Sequence, residues 1–303
     1  MKTRFFLVIL AVLLLCGCAA HGENVPEIHV VASNFPCYEL VCEVVGESAG
    51  VQLMVRPGTD AHTFEPAPAD VLAVCEADVF VCIGGSGEQW TEDVLASAGE
   101  GTRLVRLMDS VEALEEEHAH EEEHAEDISY DEHIWTSPVN MRRMLSSVEE
   151  ALCAAYPESA QVFHENAAAY DAELANLDQA FRDVVAKAER TELVFADRFP
   201  FLYFAREYGL DYLSPFNGCS EETQPSVQAM AALIEAVEED GVPAVYIIEM
   251  STGDIARAIQ EETGVEILKM HSCQSVSQEE FAAGESYLSL MWDNVEALKA
   301  GLW

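Results

Sequence analysis

The sequence predicts an α/β fold in which two similar lobes with parallel sheets are joined by one long rigid helix. Three observations lead to this prediction. Short apolar strands alternate with helices, which is typical of parallel sheets. The order of strand, turn and helix occurs twice, each time with the sequence Ala-x-x-Phe-Pro after the first strand. Between the two halves, apolar residues follow one continuous helical stripe.

The two halves align strand by strand. In each half the first strand is followed by a helix that should end near a glycine, Gly46 or Gly209. A further apolar strand starts 51 residues after the first one, as Val79 follows Ile28 and Ala244 follows Leu193. The predicted strands are 28–32, 51–55 and 79–83 in the first half, and 193–196, 244–248 and 265–270 in the second.

The connecting helix is predicted to begin after Pro157. Its apolar residues recur at alternating spacings of four and three, which places them on one face: Phe163, Ala167, Tyr170, Leu174, Leu177, Phe181, Val184 and Ala188. About 30 residues at ~1.5 Å each predict a rod of roughly 45 Å. Because a rod is stiffer than a loose linker, the lobes should hinge only modestly and leave a largely preformed cleft.

The amino terminus has the pattern of a secretion signal. Lys2 and Arg4 precede an apolar run at 5–15, which is too short to span a bilayer. The run ends Leu-Cys-Gly-Cys and resembles the bacterial lipobox, so we expect Cys18 to carry the lipid; an ordinary secretory signal is the alternative. The protein should therefore be extracytoplasmic and anchored by lipid to the bacterial cell membrane.

The predicted organisation follows from these boundaries. A signal peptide at 1–17 and a lipidated tether at 18–27 precede an amino-terminal lobe at 28–155, a connecting helix at 156–190 and a carboxy-terminal lobe at 191–303.

The charge of the chain indicates which partners it favours. The 303 residues include 15 Lys and Arg against 55 Asp and Glu, a formal net charge of −40. Half of the residues are apolar, so the composition is that of a globular protein. Such a surface repels phosphate, which disfavours nucleic acid and anionic membrane surfaces and favours cations.

An acidic segment at 115–127 carries three histidines, His118, His120 and His124. Because like charges at this density repel one another, we expect a disordered surface loop. Imidazoles among carboxylates suit zinc, copper or nickel at modest affinity, so this loop is predicted to be an auxiliary metal site. The alternative is a solvated acidic loop without a ligand.

Three further histidines, His62, His133 and His271, lie in loops that follow predicted strands or precede a helix. Ligands of open α/β sheets bind beyond the carboxyl ends of the strands, where such loops point. Loop histidines contributed by two facing lobes therefore predict one ligand set in the cleft between them.

Two motifs around these histidines carry a family resemblance. Residues 58–66, GTDAHTFEP, resemble the signature Gly-x-Asp-Pro-His-x-(Phe/Tyr)-Glu-Pro of the zinc/manganese ABC-importer solute-binding lipoproteins. Residues 131–135, DEHIW, are similar to the Asp-Pro-His-x-Trp motif of that family, whose histidine is a ligand. The resemblance implies two α/β lobes joined by a long helix, one metal ion in the cleft, and an ABC permease with its ATPase as partners.

The sequence departs from this family pattern at four positions. Ala61 and Glu132 replace the prolines before the two histidines, which should affect turn rigidity more than ligation. Arg198 stands where the family has His or Glu, and a guanidinium cannot bind a cation. His271 stands where the family has Asp and can still be a ligand.

A nearby carboxylate should replace the ligand lost at Arg198. By the symmetry of the repeat we expect Glu222 to supply it, with Asp197 as the alternative, and Arg198 to pair with whichever acid is left over. Three imidazoles from His62, His133 and His271 with one carboxylate favour Zn²⁺ over Mn²⁺.

The predicted function is a monomeric, high-affinity Zn²⁺ receptor, with Mn²⁺ the less favoured ion, that delivers metal to an ABC importer and is not an enzyme. One alternative is a zinc-dependent hydrolase, but the sequence has no H-E-x-x-H cluster, and Glu249 is its one candidate base. Another alternative is a metal-binding surface adhesin, which would leave the histidine motifs unexplained.

Overall fold

The computed structural model describes residues 28–46, 50–97, 101–116, 129–216, 225–239 and 241–303. Its first sheet has four parallel strands in the order β2-β1-β3-β4. The strands are β1 (His29–Ala32), β2 (Gly50–Leu53), β3 (Val79–Cys82) and β4 (Arg103–Arg106). The helices between them are α1 (Phe35–Val45), α2 (Pro68–Glu76) and α3 (Trp90–Ser97).

The burial of each strand agrees with its position in the sheet. All four residues of the central strand β3 are buried, whereas burial alternates along the edge strand β2. On one face, Val79 and Val81 pack with α1, and on the other face Phe80 and Cys82 pack with α2 and α3. The alternation of side chains along a strand thus supplies an apolar layer to helices on both faces, as is usual in parallel sheets.

The second sheet repeats the first. Its strands pair in parallel as β5 (Glu192–Val194) with β6 (Asp211–Leu213) and β7 (Ala244–Ile247) with β8 (Glu266–Lys269). A parallel bridge between Phe195 and Tyr246 joins the pairs in the order β6-β5-β7-β8, the same order as in the first sheet. The prediction of two similar parallel α/β units is confirmed, although the strands are shorter than expected.

In the part of the chain that the structure describes, seven further helices lie between residue 138 and the carboxyl end. They are α4 (Pro138–Ala155), α5 (Ala160–Val185), α6 (Leu202–Tyr208), α7 (Val227–Glu239), α8 (Asp254–Thr263), α9 (Gln278–Ala283) and α10 (Tyr287–Leu302). The helices α1 and α6 end directly before Gly46 and Gly209, as predicted. No helix of the described residues is long and apolar enough to cross a membrane.

The long connecting helix α5 has 26 residues, about 39 Å at the usual rise. Seven of the eight residues of the predicted stripe are buried in it, and Ala188 lies beyond its end. The helix is one turn shorter than predicted because the chain tightens after Val185, where Lys187 N–H donates to Val184 O. At the other end, Asn166 Nδ2 donates to Val44 O at 3.0 Å and fixes α5 against α1.

Direct hydrogen bonds also join the two lobes. The indole Nε1 of Trp135 donates to Ser272 O at 2.7 Å, and Tyr203 Oη donates to Asp131 O at 2.8 Å. Tyr287 Oη donates to Trp135 O at 2.8 Å. Residues of both sheets, α4, α5 and α10 share one apolar core. The lobes are therefore braced by packing as well as by the long helix.

Candidate metal centre

The loop after β2 places His62 at the carboxyl end of the first sheet. Residues Arg56 to Thr59 form a turn in which Thr59 N–H donates to Arg56 O at 3.0 Å. Pro57 and Gly58 occupy its centre, and the φ of +82° at Gly58 is the conformation that a type II turn requires there. Asp60 Oδ1 then accepts the backbone N–H of His62 at 3.0 Å and caps a short 3₁₀ turn at Ala61–Thr63.

His133 lies just before α4 and is almost completely buried. Asp131 Oδ1 accepts the backbone N–H of His133 at 2.8 Å and lies 3.2 Å from its Nδ1. One carboxylate thus fixes both the backbone and the ring of this histidine. A carboxylate against Nδ1 directs Nε2 toward a metal, as in many zinc sites.

His62, Glu132 and His133 form one group of possible ligands. One ligand atom of each side chain lies within 4.8 Å of the other two. His62 Nδ1 is 3.6 Å from Glu132 Oε1, and the two imidazole centroids are 5.6 Å apart. The structure therefore brings together two of the predicted histidines with a carboxylate that the sequence had not indicated as a ligand.

The Gly-rich segment after β3 holds the Glu132 carboxylate in place. Gly87 N–H donates to Glu132 Oε2 at 2.7 Å. A Cβ atom at Gly85 or Gly87 would lie 2.4 Å or 2.2 Å from atoms of the Glu132 side chain, so only glycine permits this approach. Glu132, which stands where the family has proline, therefore adds a carboxylate to the group of possible ligands. Its effect is not limited to the rigidity of the turn.

A further acid, Glu88, lies buried behind this carboxylate. Burial raises the pKa of Glu88 to about 7, although hydrogen bonds to Ser33 and to the Gly84 backbone oppose the rise. The charge of Glu132 adds to the increase. Glu88 is therefore partly protonated near pH 7, and a cation bound beside it would favour its charged form.

The second lobe faces this group with Gln274, Asp197 and Arg198. Gln274 Nε2 is 2.9 Å from His62 Nε2. Asp197 and His62 line the same open cavity of about 540 Å³. Asp197 Oδ1 accepts the Arg198 N–H at 2.9 Å, while its Oδ2 is buried without a hydrogen-bond partner among the described residues.

Among the described residues, Arg198 pairs with an acid other than Asp197. Its Nη2 lies 3.7 Å from Oδ2 of Asp60, on the loop of the first lobe that carries His62. The expected pairing was with whichever of Asp197 and Glu222 is not a ligand, and Glu222 lies outside the described residues. The difference arises because the His62 loop reaches across the cleft to the Arg198 side chain, which the sequence does not indicate.

The structure does not bring His271 into the ligand group. Its Nδ1 accepts the Cys273 N–H at 2.9 Å, and its Nε2 lies 3.7 Å from Glu280 Oε2. Asn294 bonds both the N–H and the carbonyl of His271, which fixes its backbone against α10. The chain then turns at Cys273, with a φ of 60°, so that Gln274 and not His271 reaches His62.

Five predicted features lie outside the described residues. These are the signal peptide at 1–17, the tether at 18–27, its lipidation site Cys18, the auxiliary histidines His118, His120 and His124, and the fourth ligand Glu222.

Two parallel α/β sheets, with a group of possible metal ligands at the strand ends of the first, have the architecture of a two-lobed solute-binding protein. Residues 30–301 match the family described as zinc-uptake complex component A, periplasmic, and the chain belongs to this family. Its resemblance to zinc/manganese-binding lipoproteins of ABC importers is thereby confirmed.

Two curated relatives show the extent of the similarity. The high-affinity zinc uptake system protein ZnuA of Bacillus subtilis is 31% identical over 282 residues, which cover 91% of this chain and 88% of that protein. The zinc-binding lipoprotein AdcA of Streptococcus pneumoniae is 30% identical over 305 residues, or 98% of this chain. The chain spans only 60% of the length of that AdcA.

Solved structures agree with the fold. The Zn(II)-bound ZnuA-like domain of Streptococcus pneumoniae AdcA matches with a TM-score of 0.77 and 28% identity, over 91% of this chain and 99% of that domain. The metal-dependent lipoprotein YcdH of Bacillus subtilis matches with a TM-score of 0.78 and 28% identity, over 91% and 99% of the two chains.

Proposed function

We propose that this chain is an extracytoplasmic, lipid-anchored receptor that binds Zn²⁺ between its lobes and delivers it to the permease and ATPase of an ABC importer. The observation that carries the proposal is the group of His62, Glu132 and His133, which lies at strand ends of the first lobe and contacts the second. The family description and the names of its zinc-binding relatives support zinc as the ion.

Each member of the group has a distinct role in this proposal. His133 binds through Nε2 while Asp131 holds Nδ1, which also increases the basicity of the ring. Glu132 supplies an oxygen and neutralises one charge of the ion, and His62 completes three protein ligands. Two imidazoles with one or two carboxylates suit zinc, whereas manganese prefers more oxygen ligands.

The fourth ligand is a carboxylate of the second lobe, either Asp197 or Glu222. Asp197 is supported by its buried Oδ2, which has no hydrogen-bond partner in the described part of the chain, and by the cavity that it shares with His62. We propose Glu132 in place of His271 in the ligand set, because Glu132 lies in one group with His62 and His133 and His271 does not.

The remaining parts of the proposal concern residues outside the cleft. Cys18 carries the lipid, and His118, His120 and His124 collect ions at lower affinity. The receptor works as a monomer.

Calorimetric titration with Zn²⁺ and Mn²⁺ tests the proposal. The wild type should bind one zinc ion tightly in the cleft, and His62→Ala or His133→Ala should remove that site. Asp197→Ala and Glu222→Ala are compared to identify the fourth ligand, because the substitution that removes it should lower the affinity for zinc. His29→Ala is the control, because His29 lies at the opposite end of β1. Tight binding that survives both histidine substitutions would overturn the proposal.

The proposed receptor has no hydrolytic activity. Glu249, the one candidate base, accepts hydrogen bonds from the Ser272 N–H at 2.7 Å and from the Ser272 hydroxyl. These bonds engage both oxygens of the carboxylate. Turnover of ester or phosphate substrates by the zinc-loaded protein, but not by its His62→Ala variant, would favour a hydrolase instead.

A further inference from the structure

A second group of metal-ligating side chains lies on the helix pair α4 and α5. Glu149 and Cys153 belong to α4 and His164 to α5, and one ligand atom from each lies within 4.8 Å of the other two. Cys153 is 15 residues beyond Pro138, the first residue of α4, so the helical rise separates it by about 22 Å from the loop of His133. This group is therefore distinct from the cleft.

Helical geometry brings the three side chains together. Glu149 and Cys153 are four residues apart and so project from the same face of α4. The chain then reverses within a short turn, where Ser159 N–H donates to Tyr156 O at 2.9 Å. His164 follows in the second turn of α5. The group lies at the closed end of a helical hairpin, where the spacing of the two helices is most restricted.

Contacts along the hairpin fix the positions of these residues. At its open end, Arg142 makes two bonds to the Asp171 carboxylate, of 2.7 Å and 2.9 Å. At its closed end, the rings of Tyr156 and Phe163 pack edge to face with centroids 6.4 Å apart. Such a backbone holds ligands in place before a metal binds, which lowers the cost of binding.

The donor atoms match a zinc-like ion. A tetrahedral zinc site with Zn–N of ~2.1 Å and Zn–S of ~2.3 Å places nitrogen and sulfur about 3.6 Å apart. Side-chain movements of about 1 Å bring atoms that lie within 4.8 Å of one another into this range. Thiolate, imidazole and carboxylate together suit Zn²⁺ and related thiophilic ions better than Mg²⁺, Ca²⁺ or Mn²⁺.

The charge around the group also favours a cation. Between residues 144 and 170 the sequence has four Glu and no Asp, Lys or Arg, and the next acid, Asp171, is paired with Arg142. His164 Nδ1 contacts Glu149 Oε1 directly, so two of the three donor groups already lie side by side.

We propose that Glu149, Cys153 and His164 form a second, surface-accessible site for one thiophilic divalent cation of the zinc class. Three protein ligands leave one coordination position for water, so the ion can exchange with solvent. The site does not depend on the proposed function of the cleft.

Cobalt titration of the full reduced chain tests this proposal, because a thiolate bound to Co²⁺ gives a charge-transfer absorption that imidazole and carboxylate do not. The titration uses a phosphine reductant and a His62→Ala/His133→Ala background, with the wild type in parallel. We expect this band to saturate at about one equivalent of cobalt, because the three protein ligands hold a single ion. Cys153→Ser should abolish it, and His164→Gln should weaken cobalt binding at least ~10-fold.

The matched control is Cys75→Ser, which changes another half-buried cysteine, one outside both possible ligand groups of the described residues. It should leave the band unchanged. Absence of a thiolate band at saturating cobalt in the wild type, or a band that persists in Cys153→Ser, would overturn the proposal. Because His164 is largely exposed, His164→Gln should fold normally and tests the site even if Cys153→Ser folds poorly.

Discussion

Replacing Gly87 by alanine tests whether the Glu132 carboxylate belongs to the metal site. A Cβ atom at position 87 would lie 2.2 Å from Glu132 Oε1, far inside van der Waals contact. Because the obstructed atom is the end of a flexible side chain, Glu132 can rotate away while the backbone keeps its fold. The carboxylate would then leave its place 3.6 Å from His62 Nδ1 and lose its 2.7 Å bond from the Gly87 N–H.

Loss of such support for a ligand weakens metal binding by about 10- to 100-fold, or roughly 1.4–2.8 kcal/mol. We expect this loss for zinc in the Gly87→Ala variant, measured by titration against a competing chelator, with an unchanged circular dichroism spectrum. Gly101→Ala is the matched control, because a Cβ atom there meets nothing within 4 Å. Zinc affinity equal to that of the wild type in Gly87→Ala would refute the assignment of Glu132 as a ligand.

Three further predictions concern the fold and the cleft. Burial raises the pKa of Glu39 from 4.5 to about 7, so its share of the unfolding free energy, about 3 kcal/mol, should be lost as the pH rises through this range. Urea denaturation at several pH values in this range should show that the unfolding free energy depends less on pH in Glu39→Gln than in the wild type. An equal pH dependence in the two proteins would contradict this. Trp135→Phe leaves Ser272 O without its 2.7 Å bond and should lower the urea-derived unfolding free energy by about 1–3 kcal/mol; an unchanged midpoint would contradict this. Because the half-exposed pair of Arg198 and Asp60 is worth less than about 1 kcal/mol, Arg198→Ala should change the calorimetric zinc affinity less than about fivefold. A larger loss would mean that the pair with Asp60 is needed to position the loop that carries His62.

The repeated strands and the long helix could be predicted because local patterns determine them. Apolar runs such as that of β3 are buried on both faces, and the stripe of α5 has the period of a helix. The end of α5 could not be predicted, because Ala188 continues the apolar pattern while the backbone has already turned. The spacing of apolar residues indicates which face of a helix is buried. It does not indicate at which residue the backbone hydrogen bonds depart from the α-helical pattern.

The ligand group was predictable only in part. His62 and His133 meet because both lie in loops at the carboxyl end of one parallel sheet. Glu132 is directed into the group by Gly87, which is 45 residues earlier in the chain, so no local signal indicates its orientation. His271 is fixed by the bonds from Asn294 to its backbone, and a positive φ at Cys273, which a non-glycine residue seldom adopts, directs Gln274 to His62 instead.

The hydrogen bonds on either side of His133 have a kinetic consequence. Asp131 is bonded to Tyr203 and Trp135 to Ser272, so the segment that carries this imidazole is attached to both halves of the molecule. Rotating the halves apart would break these buried bonds before it released His133. Unloading should instead proceed by stepwise ligand substitution from the open His62 side, at a rate set by the concentration of the incoming acceptor.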